Sequence, residues 1–163
     1  MSDDGKLIKE TMTMFERILP GPIDRVWEYL TADEHLGKWL LPGTIEPRAG
    51  GKVNLGNGHI RGIVTQWKPP SLLAYTWNVF GPQDENSPYP ESYLRIELRA
   101  VDKHVLLTLS HRPILEGFEG LTRMGWHTFL DMLWAILHGQ NTEPRDVIME
   151  RNRARYGVEK MPK

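Results

Sequence analysis

Residues 62–77 read GIVTQWKPPSLLAYTW: two apolar, β-rich runs separated by Pro69 and Pro70. Proline has no N–H to give to a strand ladder, and it drives the residue before it out of the helical region. The stretch is therefore strand, corner, strand. In its second run Leu73, Tyr75 and Trp77 share one parity. Side chains alternate across a strand, so these three load one sheet face with bulk. A face that heavy needs a cover, and residues 119–138 supply one. Trp126, Phe129, Leu130, Leu133, Trp134 and Leu137 recur at helical spacing, and Gly139 stands where such a helix stops.

The rest of the chain fits around that pair. Residues 11–19 read as a first strand, with Met12, Met14 and Ile18 on one parity and Phe15 and Leu19 on the other. Pro20-Gly21-Pro22 breaks it, and Pro22 suits the first position of a helix carrying Ile23, Val26, Trp27 and Leu30 on one stripe. A second short helix after Asp33 buries Leu36, Trp39 and Leu40, and Pro42-Gly43 ends it. From Thr44 to His111 the pattern only alternates or turns, with Gly56-Asn57-Gly58 as the clearest hairpin cue. Leu94, Ile96, Leu98 and Ala100 form one inward row; Val105, Leu107, Leu109 and His111 form the next. Residues 81–90 are polar and proline-rich, either a plain strand connection or a rim loop over a pocket. A last helix is expected after Thr142, ending near Gly157, and its charge from Arg145 to Arg155 reads as a solvated surface helix. One strand, two short helices, about six antiparallel strands and a long helix make an α+β domain.

Composition removes several classes of function. The 163 residues suit one domain, 1–163, with a core of about 11–139 and a charged helical tail at 140–163. Net charge is -1, which leaves no electrostatic footprint for nucleic acid. Cysteine is absent, so there is no disulfide framework and no thiolate chemistry, and a reducing cytoplasm is the expected compartment. The first ten residues lack the apolar core of a signal peptide. No run approaches the roughly 18 apolar residues a membrane helix needs, so no membrane insertion is expected.

Taken in order, several phrases resemble one family. They are Pro22-x3-Val26-Trp27, Leu36-x2-Trp39, Gly50-Gly51, the Gly62, Pro69-Pro70 and Tyr75-Thr76-Trp77 phrase, Leu107-Thr108-Leu109-Ser110-His111, and Gly125-Trp126-x3-Leu130-x2-Leu133. Together they make the chain similar to START-like, or SRPBCC, domains of the subgroup named after the activator of the 90-kDa heat-shock-protein ATPase. The resemblance implies a helix-grip fold, in which a curved antiparallel sheet wraps a long C-terminal helix, with an apolar cavity between them. Members of the wider superfamily bind lipids, sterols, polyketides and other hydrophobic molecules, and some are cyclases or aromatases.

The candidate cavity residues are Trp39, Tyr75, Trp77, His111, Trp126, Phe129, Leu130 and Leu133. Each ring is either core filling or ligand wall. His111 either bonds to backbone at the rim or orients a ligand as a titratable group in an apolar site. His127 and Asp131, at i and i+4, are either a metal or acid/base pair or a surface polar pair; no HExxH pattern or third ligand accompanies them. His104 falls on the parity opposite His111, and the glycine pairs lack the Lys-Ser/Thr of phosphate loops. No GxSxG elbow marks a nucleophile, and no metal or cofactor is expected. The preferred expectation is a binding protein for a small hydrophobic molecule. The alternatives are a cyclase-, aromatase- or hydrolase-type enzyme built around His111, and a chaperone-associated interaction module, with a chaperone or a second copy as partner.

Overall fold

The computed structural model describes residues 3–160. β1 (Thr13–Pro20) leads into α1 (Ile23–Thr31) and α2 (Asp33–Trp39). Six strands follow: β2 (Gly43–Ile45), β3 (Lys52–Leu55), β4 (Ile60–Lys68), β5 (Leu72–Val79), β6 (Ser92–Val101) and β7 (His104–Arg112). The chain then forms α3 (Glu119–Leu137) and α4 (Arg145–Arg155). One antiparallel sheet holds all these strands in the order β1-β7-β6-β5-β4-β3-β2. This is the α+β helix-grip arrangement, a curved sheet with a long helix on its inner face. No helix among the described residues is long and apolar enough to cross a membrane.

The proline corner forms as expected. Lys68 pairs with Leu72 across it, and the Ser71 N–H closes it on the Lys68 carbonyl at 2.8 Å. Leu73, Tyr75 and Trp77 all turn inward and are buried. The residue pattern does not predict one detail of this hairpin: the β4–β5 register slips between Val64 and Gln66. Near that irregularity the Ile63 N–H turns from the ladder to the Thr76 hydroxyl, at 2.8 Å. Gly62 lies so close to the neighbouring strand that a Cβ there would stand 1.8 Å from the Thr76 carbonyl oxygen.

α3 is 19 residues long, about 28 Å at 1.5 Å per residue. Trp126, Leu130, Leu133 and Leu137 face the sheet and join the core with α1 and α2. Two expectations need correction here. The helical spacing puts Trp134 on the buried stripe, but it is 38% exposed and stacks on His138 at 3.8 Å. Meanwhile Met124, Thr128 and Met132, off the stripe, are buried. The cause is α4, which is not merely a solvated surface helix. It seals a second face of α3 with Ile148 and Asn152 buried beneath its charges. Asn152 Nδ2 donates to the Thr128 hydroxyl at 3.0 Å, and Arg145 lies over the Phe129 ring.

Candidate functional site

Four strand ends meet at one rim of the sheet. The register sets Ile60 opposite Val79, Trp77 opposite Ser92 and Leu94 opposite His111. The first half of α3 crosses this rim. The Trp126 ring lies 5.1 Å from Trp77 and 5.9 Å from His111, and Trp77 lies 5.6 Å from His111.

Between rim and helix are two adjoining cavities of about 340 and 300 Å³. Both are bounded by His59, Trp77, Val79, His111, Leu121 and Thr122. The larger lobe runs out to Tyr89, in the β5–β6 loop, and to Phe118, just before α3. These two rings meet edge to face at 5.8 Å, although each remains about 40% exposed. The smaller lobe reaches under Trp126 and Phe129 to Leu41. A larger, shallow concavity of about 650 Å³ lies on the outer face of the sheet. Its walls include Arg95 and Glu97, which pair with each other, together with Gln66 and Arg112. Its polar walls make it a poorer candidate than the apolar cleft, because small-molecule sites are concave and mostly apolar with few placed polar groups.

The polar groups at the cleft wall form a directed chain. Trp126 Nε1 donates to His111 Nδ1 at 2.9 Å. An indole nitrogen can only donate, so Nδ1 carries no proton and the neutral ring holds its hydrogen on Nε2. Nε2 then donates to Ser92 Oγ at 2.7 Å, and the Ser92 hydroxyl donates to the Trp77 carbonyl at 2.8 Å. Burial lowers the His111 pKa to about 4, so the ring stays neutral near neutral pH. This tautomer bears on chemistry. A Ser–His pair is activated when the imidazole accepts the hydroxyl proton, whereas here the imidazole donates to the hydroxyl. Burial also raises the Tyr75 phenol, which remains an uncharged O–H.

The sequence candidates separate into two groups. Trp77, His111, Trp126 and Phe129 border the cavities. Trp39, Tyr75, Leu130 and Leu133 lie deeper, almost wholly buried in the core. Trp39 is fixed there by its indole N–H to the Tyr29 carbonyl at 2.7 Å. His104 points outward, as expected. His127 is covered by α4: its Nδ1 lies 2.7 Å from the Tyr156 hydroxyl and its Nε2 3.7 Å from Asp131. Burial lowers its pKa, with Asp131 opposing that shift and Arg155 and Arg17 adding to it. Among the described residues no group of three His, Asp or Glu could hold a metal ion. Sequence reasoning missed Ser92 and His59. Ser92 shares the inward parity of Leu94, and extending that strand back by one residue would have found it. His59 follows a turn, where parity gives no signal.

Residues 20–138 match the family described as Activator of Hsp90 ATPase homolog 1-like protein. Among curated proteins there is no match. Among solved structures, the chain is similar to CalU16 from Micromonospora echinospora, at 22% identity and a TM-score of 0.72, over 90% of this chain and 86% of that one. It is similar to PFC0360w, an HSP90 activator from Plasmodium falciparum, at 21% identity and a TM-score of 0.66, over 78% and 96% of the two chains. It also resembles the Aha1 dimer from Colwellia psychrerythraea, at 17% identity and a TM-score of 0.61, over 78% and 96%. At these identities the structural likeness shows the fold. The sequence match covers well over half of the chain, and with the helix-grip architecture it establishes that this chain belongs to the START-like, SRPBCC superfamily, in the family of Activator of Hsp90 ATPase homolog 1-like proteins.

Proposed function

We propose that the chain binds a small hydrophobic molecule in the cleft between the sheet rim and the first half of α3. The observation that carries this reading is the closed hydrogen-bond chain through Trp126, His111, Ser92 and Trp77. It consumes the polarity of the inner wall and leaves aromatic faces, Val79 and Leu121 toward the cavities. Such a wall favours apolar surface and has no activated nucleophile to offer. Of the sequence candidates, Trp77, His111, Trp126 and Phe129 would touch the ligand, while Trp39, Tyr75, Leu130 and Leu133 would hold the frame.

A ligand that binds only the folded state stabilises it by mass action. At a hundredfold excess over Kd the gain is about 2.7 kcal/mol, which raises Tm by roughly 5–10 °C for a domain of this size. A thermal-shift screen of apolar and polycyclic aromatic compounds, read together with tryptophan fluorescence, tests the reading. No rise with any compound across the screen would reject it.

A second reading is contact with a chaperone or with a second copy. It is favoured by the family itself, since one similar structure is an HSP90 activator and another a dimer. Light scattering and stimulation of a 90-kDa heat-shock-protein ATPase address it. A monomer without effect on the ATPase would remove it.

A further inference from the structure

His59, like Thr122 of α3, stands in the shared wall of both lobes. Unlike His111, it is exposed at the cleft mouth. Its ring is nevertheless held in place. The Phe80 N–H donates to the His59 carbonyl at 2.8 Å, and His59 Nδ1 lies 2.9 Å from the Phe80 carbonyl. A carbonyl can only accept, so Nδ1 is the donor in that bond. In the neutral ring Nε2 is then a lone-pair acceptor, and among the described residues nothing donates to it. The two histidines of the cleft are thus opposite in kind. His111 presents no free lone pair, because Trp126 occupies it. His59 keeps one, on a ring whose orientation is already fixed.

We propose that His59 is the polar anchor of the cleft: its Nε2 accepts a hydrogen bond from a hydroxyl on an otherwise apolar ligand. The cleft then selects phenols and alcohols over the matching ethers. This rests on the ligand-binding reading above. Once a ligand covers the mouth, an unpaired Nε2 loses water without replacement, and it is that loss which disfavours the ether.

The test uses the full chain and three probes, 2-naphthol, 2-methoxynaphthalene and 2-naphthoate, with Kd measured by equilibrium dialysis. The variant His59→Asn keeps a side-chain N–H for the Phe80 carbonyl but has no Nε2. The naphthol-to-ether affinity ratio is expected to fall about five- to tenfold in His59→Asn, as for the loss of one hydrogen bond. His59→Gln, which restores an acceptor at the reach of Nε2, should recover part of it. A second measurement needs no variant: the His59 Nε2 ¹⁵N resonance should move on adding naphthol and stay in place on adding the ether. If both neutral probes bind with a ratio that His59→Asn leaves unchanged, the anchor is refuted while the ligand-binding reading stands. Tighter binding of naphthoate than of naphthol also refutes it. If neither neutral probe binds the wild-type chain while other compounds of the thermal-shift screen do, the anchor is refuted and the ligand-binding reading stands; a screen with no rise for any compound rejects both.

Discussion

His111 stays neutral because each of its nitrogens already has a task that one proton satisfies. A second proton on Nδ1 would face the Trp126 N–H, donor against donor, in a site from which water is excluded. The consequence for stability has a definite sign. The folded pKa, about 4, lies below the ordinary imidazole value of 6.5, so between those values the unfolded chain binds the extra proton and the folded chain does not. Stability is full above pH 6.5 and falls as pH drops toward 4, by about 3 kcal/mol in total at 1.36 kcal/mol per unit. Urea unfolding measured across this window should therefore show a steeper acid loss for wild type than for His111→Gln. Equal slopes would mean that the ring is solvated. The inward direction of His111 was legible in the sequence from the parity of Val105, Leu107 and Leu109. Its partners were not, because Ser92, Trp77 and Trp126 come from three other elements, which only the sheet register and the crossing of α3 bring together.

At the scale of the element, the hairpin of β4 and β5 shows what a sequence does and does not carry. The corner at Pro69-Pro70 is a local property of proline and was readable from the residues alone. The slipped register beyond it was not, since a bulge depends on what the partner strand offers. Thr76 offers a hydroxyl to the Ile63 N–H, and Gly62 yields the space. Gly62→Ala should accordingly destabilise the fold by more than about 2 kcal/mol, at the upper end of overpacking effects, because the added carbon meets backbone that cannot swing aside. Chemical denaturation would show it, and a change under 0.5 kcal/mol would place the strands farther apart than described. α4 teaches a related lesson. Its charge density reads as a surface helix, yet Ile148 and Asn152 are buried against α3, and two buried residues beside six charged ones leave little amphipathic signal.

Across the whole molecule, the inner face of the sheet serves two purposes at once. Its deep half faces the core that holds Tyr75, Leu133 and Trp39 almost wholly buried; its rim half is cleft. Helical and strand periodicity marked both halves alike as buried, so the fold was legible while the border between core and cleft was not. That border depends on how far α3 stands from the rim, and no residue pattern encodes that distance. The two halves respond differently to added bulk. Thr122→Trp, at the shared wall of both lobes, should leave the ligand-free stability within about 0.5 kcal/mol, as for a substitution outside the packed core. The Tm rise given by a bound compound should disappear. An undiminished rise would locate the ligand elsewhere, the outer sheet face being the next place to look.

The chain from Trp126 to the Trp77 carbonyl reads in one direction only. It starts on a nitrogen that can give but not receive and ends on an oxygen that can receive but not give. Each link inherits its orientation from the one before, so the protons have a single arrangement. A replacement that removes one member leaves a hydrogen or a lone pair without its partner at the next. Trp126, His111 and Ser92 are thus exchangeable only as a set, which makes this small grammar of donors and acceptors a tighter constraint on the rim than the shape of any one side chain in it.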